Sequence, residues 1–170
     1  MTGKLIGAML IIASGGIFGL SLVREYKMEE EGLRQLIAAL DYMQCELQYR
    51  MTPLPDLCRE AGKENRSMVG QVLLMLAQEL DCAVSPDVRS CMMDAIGNED
   101  KLPAKTRDAF EKLGATLGRF DMTGQIQGLE SVRAFCRREL DTLSSGKDLR
   151  LRSYKTLSLC AGAALAILLV

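Results

Sequence analysis

The chain has 170 residues, carries a formal net charge of −1 and contains no histidine. This length favours a single folded domain, and the near-zero charge excludes a global basic surface for nucleic acid. Without histidine, the commonest general base, the Ser-His and Cys-His nucleophile pairs and most zinc ligand sets are excluded.

The chain begins with an apolar segment. Residues 1–4 form a short N-terminal end whose one charged side chain is Lys4, and residues 5–23 are 19 uncharged residues. A helix of that length extends for about 28 Å, close to the ~30 Å hydrocarbon core of a bilayer. The alternative, a cleaved signal peptide, would have a long apolar region and no good A-x-A cleavage site. We therefore expect a transmembrane helix over residues 5–23.

The middle of the chain, residues 24–155, has the pattern of a helical domain. From residue 28 to residue 50 the apolar positions step by three and four, as in an amphipathic helix. These positions are Leu33, Leu36, Ile37, Leu40, Met43 and Leu47. The run Glu29-Glu30-Glu31 before them is interpreted as a solvated helix start.

Turn and capping signals divide the rest of the middle into further helices. Pro53 and Pro55 end the helix over residues 28–50, because proline cannot continue the hydrogen-bond ladder. Helices are then predicted over residues 56–63, 65–80, 85–97 and 103–117, and a last one begins at Asp121 as its capping residue. The fold class is therefore all-α: a bundle of about six helices, flanked by N-terminal and C-terminal transmembrane helices.

The chain ends in a second apolar segment, residues 156–170, with 15 uncharged residues. It would extend for roughly 22 Å as a helix, short of a full span unless side chains snorkel or the bilayer thins. A helix buried in the domain is the alternative to a short transmembrane helix. Basic residues flank both apolar segments on the side of the middle domain, which places that domain in the cytoplasm.

Residues with catalytic or ligand-binding chemistry are few. Six cysteines are present without a C-x-x-C pair, which is typical of small apolar core residues in a reducing compartment. The acidic residues lack calcium-loop spacing, and no nucleotide-binding glycine loop is present. The sequence predicts no catalytic, cofactor-binding or metal-binding residue.

The most unusual pattern is Leu-Gly-x-x-Leu-Gly-x-x-Asp-x-x-x-Gln, which we call the Leu-Gly corner. It comprises Leu113, Gly114, Leu117, Gly118, Asp121 and Gln125. Two glycines on one helical face cost about 1 kcal/mol each relative to alanine, a cost that close packing or a tight helix exit can offset. The corner is interpreted as a structural helix-turn-helix junction or as a junction that also contacts a partner.

With this corner, the chain resembles the stage III sporulation protein AB family of endospore-forming bacteria. Two further stretches agree with that family: Glu46-Leu47-Gln48-Tyr49 leading into Thr52-Pro53-Leu54, and Arg152-x-Tyr154-Lys155-x-x-x-Leu159-x-x-Gly162. The soluble domain of the family resembles the cytoplasmic domains of the inner-membrane platform protein of type II secretion and type IV pilus systems.

The resemblance implies a function in the assembly that bridges mother cell and forespore during sporulation. We expect a non-catalytic scaffold in the mother-cell membrane, with other membrane subunits of that channel and the secretion-type ATPase of the same operon as partners. The alternative is a platform or adaptor of a general type II secretion or pilus-like system. A membrane enzyme built on carboxylates such as Asp121 and Glu46 is the third alternative.

Overall fold

The computed structural model describes the backbone of residues 2–65, 67–82, 87–118 and 122–169, and within these ranges the side chains of all but 2–23 and 146–169. These ranges contain no strand and six helices: α1 Thr2–Arg50, α2 Leu54–Glu64, α3 Met68–Cys82, α4 Val88–Gly97, α5 Ala104–Thr116 and α6 Met122–Leu169. The all-α class and the number of helices are confirmed.

The chain divides into two compact units. Met28–Leu140 forms the larger unit, and Met1–Lys27 with Asp141–Val170 forms the other. The predicted membrane segments 5–23 and 156–170 belong to the second unit, and their side chains lie outside the described residues. Among the residues whose side chains the structure describes, no helix is long and apolar enough to cross a membrane.

Helix α3 buries seven of its 15 residues in the larger unit. Its apolar residues recur at helical spacing and lose nearly all contact with solvent, including Val69, Val72, Leu73, Leu76 and Ala77. Each fully buried valine or leucine side chain contributes about 1.5–3 kcal/mol to folding relative to an exposed one. The prediction of a central core helix in this region is confirmed, although the helix begins at Met68 instead of residue 65.

Helices α2 and α3 pack closely because glycines stand where they meet. A Cβ atom on Gly62 would lie 2.8 Å from the carbonyl oxygen of Gly70. A Cβ atom on Gly70 would lie 1.6 Å from the carbonyl oxygen of Asn65, in the loop between the helices. The Asn65 side chain also donates a hydrogen bond to the Gln35 carbonyl oxygen of α1 at 3.2 Å. This loop therefore fixes the α2–α3 pair against α1.

Helix α5 begins against α1. Its N-cap residue, Pro103, makes no side-chain hydrogen bond to the helix. Instead, the Glu29 carboxylate of α1 accepts from the backbone N–H of Lys105, at 3.2 and 3.1 Å. The interpretation of Glu29 as a solvated helix start is therefore wrong, because this carboxylate satisfies an unpaired amide at the positive end of another helix.

Helices α1 and α6 run antiparallel through the larger unit. Arg133 binds Asp41 at 2.6 Å, and the Gln44 side-chain amide donates to Glu130 at 3.1 Å. Three residues forward on α1 thus correspond to three residues back on α6. Extending this register by five more residues places Tyr49, near the end of α1, level with Gln125 in the first turns of α6.

Candidate functional site

The α5 half of the Leu-Gly corner is built into the core. Leu113, Gly114 and Leu117 are buried, and the two leucines have no exposed surface. The spacing of four residues puts both leucines on one face of the helix. Their burial therefore stabilises the larger unit at the end of α5.

Gly114 allows α5 to approach α4. A Cβ atom at this position would lie 2.7 Å from Cβ and 2.9 Å from Cγ of Met92, whose side chain is fully buried. It would also lie 3.6 Å from Cα of Arg89. The expectation of close packing at this glycine is confirmed, and any larger residue here must push the two helices apart.

Gly118 forms the exit from α5. Its φ angle is +74°, in the left-handed region that side chains disfavour, and Leu117 before it is already extended. A Cβ atom here would lie 2.4 Å from Cγ2 of Val88 at the start of α4 and 3.8 Å from Cδ2 of Leu54 at the start of α2. The expected tight helix exit is confirmed, and it brings the beginnings of α2 and α4 next to the corner.

The α6 half of the corner is more open. Gln125 is half-buried in the first turns of α6, and Asp121, predicted to cap that helix, lies outside the described residues. One turn further, a Cβ atom on Gly128 would lie 2.9 Å from Cβ of Thr116, so α6 packs tightly on the end of α5. The structure thus brings Leu113, Gly114, Leu117, Gly118 and Gln125 to one end of the bundle.

A groove of about 540 Å³ runs beside α5, bounded by α4 and α6. Basic and acidic side chains line it in equal number: Arg89, Lys105, Lys112, Asp108, Glu111 and Glu139. Lys105 binds Glu139 at 2.5 Å, and the ammonium group of Lys112 lies 4.9 Å from the ring centre of Phe135. Such balanced charges favour a solvated groove between helices over a site for one anion or cation.

The described cysteines differ in exposure: Cys58, Cys91 and Cys136 are buried as expected of core residues, whereas Cys45 and Cys82 are exposed. Burial raises the pKa of Cys58 to about 12 and that of Cys136 to about 11. Both thiols are therefore protonated near neutral pH and behave as small apolar side chains. Among the described side chains, no group of three or more His, Cys, Asp or Glu is placed to hold a metal ion.

The structure reveals an exposed surface that the sequence predictions did not include. Tyr49 is 81% exposed and Met51 is 71% exposed, and the Arg50 side chain between them is 74% exposed. We call these three residues the tip. Tyr49 ends the Glu46-Leu47-Gln48-Tyr49 stretch that resembles the family, and Arg50 and Met51 follow it directly. This stretch was the signal in the sequence that could have pointed to the tip. An amphipathic pattern alone does not separate an exposed tyrosine from an anchoring one.

Comparison with known proteins gives consistent results across the chain. The family model for stage III sporulation protein AB matches residues 4–170. The stage III sporulation protein AB of Bacillus subtilis (strain 168) is 23% identical over 170 residues, covering 98% of this chain and 99% of that protein. A solved structure of stage III sporulation protein AB (SpoIIIAB) superimposes with a TM-score of 0.63 at 17% identity, covering 72% of this chain and 98% of that one, which shows the same fold. The chain belongs to the stage III sporulation protein AB family.

Proposed function

We propose that this chain is a non-catalytic membrane scaffold of the sporulation complex between mother cell and forespore, and that it contacts the secretion-type ATPase of the same operon. The observation that carries the proposal is the family match over residues 4–170, which includes both apolar ends as well as the helical domain. A subunit of an unrelated machine would not be expected to match this family over both apolar ends and the helical domain together.

The apolar ends support a membrane location. Residues 5–23 are uncharged over a length that suits the hydrocarbon core, and residues 156–170 are uncharged over a shorter length. Arg24 and Lys27 follow the first segment, and Arg152 and Lys155 precede the second. By the positive-inside rule, this distribution supports a cytoplasmic position of the helical domain, where an ATPase would be accessible.

The form of the larger unit supports a scaffold. Its glycines fix the helix crossings, two of its buried cysteines, Cys58 and Cys136, are protonated core residues, and its groove has balanced charges. A rigid surface without chemistry of its own is suited to hold another protein in place. We assign the contact with the ATPase to the Leu-Gly corner, with Asp121 and Gln125 as the residues that touch it and the buried residues as their support.

The proposal is tested by co-purifying the full-length chain, in detergent, with the ATPase encoded beside it. Wild type should retain the ATPase, and Asp121→Ala and Gln125→Ala should retain less of it while keeping their helical content. Gly118 is unsuited to this test, because its positive φ and its contact with Val88 make any substitution a folding defect. Failure of the wild type to retain the ATPase rejects the contact.

Expression timing separates this function from the alternative in a general secretion or pilus system. A transcript and protein that appear only after sporulation begins support the sporulation scaffold. Constitutive expression, with loss of pili or of secreted proteins on deletion, would support the alternative instead.

A further inference from the structure

Charge is divided unequally between the two compact units. The second unit, Met1–Lys27 with Asp141–Val170, contains seven Lys and Arg against three Asp and Glu. Residues 28–140 contain 14 Lys and Arg against 19 Asp and Glu. The net charge of −1 is thus the sum of +4 in the second unit and −5 in the larger unit. Because salt limits electrostatic attraction to about 10 Å at 0.1 M ionic strength, a ligand responds to the local charge more than to the total.

Six basic residues next to the two apolar ends form what we call the basic collar. They are Arg24, Lys27, Lys147, Arg150, Arg152 and Lys155. The first of them directly follows residues 5–23, and the last directly precedes residues 156–170. Clusters of about four to eight Lys and Arg immediately beside a membrane segment bind anionic lipid headgroups.

The acidic residues next to the collar do not cancel its charge. Glu25 and Asp148 are the two acidic residues within 24–27 and 147–155, against the six basic ones. Further along α1, Glu30 pairs with Arg34 at 3.0 Å, and Glu29 accepts from a backbone N–H of α5. These two carboxylates are therefore engaged inside the larger unit.

Helix α6 connects the larger unit to the collar without a break, from Met122 to Leu169. The hydroxyl groups of Ser144 and Ser145 donate to the Asp141 carbonyl oxygen, at 2.9 and 2.7 Å, just before the collar begins. The four collar positions that follow on α6 are thus helical, and at about 100° per residue they are spread over roughly 200° of the circumference. A protein partner would contact one face of the helix, whereas lipid headgroups surround a helix where it leaves a bilayer.

The length of the collar also suits a membrane surface. Arg150 and Lys155 are about 8 Å apart along the helix axis, and Lys147 lies about 12 Å from Lys155. The headgroup layer on each side of the hydrocarbon core is about 5–8 Å thick. Long basic side chains extend several ångströms along the helix, so all four can reach one such layer. On α1, the side chains of Arg24 and Lys27 are exposed.

We propose that the basic collar binds the anionic phosphate headgroups of the membrane surface, so that negatively charged lipids hold the chain in addition to its apolar ends. This inference rests on the proposed membrane location and adds a lipid preference to it. The negative charge of residues 28–140 disfavours contact of the larger unit with the same surface, which restricts lipid binding to the collar.

The test measures lipid binding to the full-length chain by native mass spectrometry in a neutral detergent, with phosphatidylglycerol and phosphatidylcholine as probes. Wild type should bind phosphatidylglycerol at least about tenfold more tightly, since each basic residue contributes about fivefold. The combined variant Arg150→Gln, Arg152→Gln and Lys155→Gln should lose this preference and still bind phosphatidylcholine through its apolar ends. The preference of wild type should decrease as ionic strength rises.

The matched control combines Arg89→Gln, Lys101→Gln and Arg137→Gln, which remove the same charge from exposed positions of the larger unit. This control should keep the wild-type preference, and an equal loss in it would overturn the proposal. Free glycerol phosphate should not displace phosphatidylglycerol, and displacement would show a site for phosphate ions instead of a membrane surface.

The remaining outcomes separate this inference from the proposed function. Equal binding of the two lipids by wild type overturns the collar and leaves the proposed ATPase contact in place. A normal lipid preference in the collar variant also overturns it, and loss of the ATPase by that variant would then assign these cations to a protein partner. Absence of binding of either lipid by wild type rejects the collar and the membrane location together.

Discussion

A methyl group added at Gly70 would lie 1.6 Å from the carbonyl oxygen and 2.7 Å from the carbonyl carbon of Asn65. Both are backbone atoms, which cannot swing aside as a flexible side chain can. Gly97, at the end of α4, is the opposite case, since a Cβ atom there would meet nothing within 4 Å. Glycine is therefore required sterically at position 70 but not at position 97.

We expect Gly70→Ala to lower the free energy of unfolding by more than about 2 kcal/mol, because overpacking forces the α2–α3 loop to move. Gly97→Ala should change it by less than about 1 kcal/mol, in either direction. Denaturant unfolding of the two variants beside wild type measures both effects. Equal stability of the two variants would mean that the contact between Gly70 and Asn65 is absent in solution.

The raised pKa of Cys58 makes the stability of the folded domain depend on pH in the alkaline range. Its side chain is fully buried, and burial raises its pKa from 9.0 to about 12, so the folded state holds the thiol proton more tightly than the unfolded chain does. The resulting stabilisation is complete below the unfolded pKa and is lost as pH rises from about 9 toward 12.

The thermal midpoint of wild type should therefore fall between about pH 8 and pH 10.5, and Cys58→Ala should show a shallower fall from a lower starting value. Cys82→Ala, which replaces an exposed thiol, should keep the wild-type slope. Parallel slopes for Cys58→Ala and wild type would show that this thiol does not titrate differently in the folded state.

At the scale of the helices, the contact between Glu29 and the backbone N–H of Lys105 joins α1 to the start of α5. A carboxylate at a helix N-terminus accepts from an otherwise unpaired amide and interacts favourably with the helix dipole. Since Pro103 makes no side-chain cap, α5 depends on this residue from a distant part of the chain.

Glu29→Ala should therefore lower the free energy of unfolding by about 1 kcal/mol. Glu31→Ala, two residues along the same helix, removes an equal charge from an exposed position and should have an effect within about 0.5 kcal/mol of zero. Urea unfolding of both variants at one ionic strength provides the comparison. A similar loss in the two variants would assign the effect to the charge of α1 instead of the cap.

The sequence predicts the helices better than it predicts their contacts. Leu33, Leu36 and Leu40 in α1 are buried as the periodicity indicates, and proline ends that helix where expected. The contact of Glu29 with α5 joins residues far apart in the chain, and no local pattern contains it. The start of α3 at Met68 depends on the close approach of Gly70 to Asn65, which is likewise a tertiary effect.

At the scale of the whole domain, the candidate site also shows that local packing is easier to predict from the sequence than the exposure of a surface. Helical spacing was enough to predict close packing at Gly114 and a tight exit at Gly118, because glycine has a known cost in a helix. It was not enough to find the tip, since the exposure of Tyr49 and Met51 is a property of the packed domain and not of the local sequence pattern. The contact of Asp121 and Gln125 with a partner stays a prediction.

The two apolar ends, residues 5–23 and 156–170, are the segments that we propose to anchor the chain in the membrane. A scaffold that holds an ATPase at a membrane requires both the domain and its anchor. A chain that lacks residues 5–23 should therefore be recovered largely in the soluble fraction of sporulating cells and should not restore function in a deletion strain. Full function from the truncated chain would contradict the membrane scaffold.

The yield of heat-resistant spores from a strain in which the gene for this chain is deleted tests the proposed sporulation function most directly. We expect normal vegetative growth, arrest of development after engulfment, and a fall in spore yield by orders of magnitude that the full-length chain restores. A normal spore yield from the deletion strain would show that the chain is not required for sporulation.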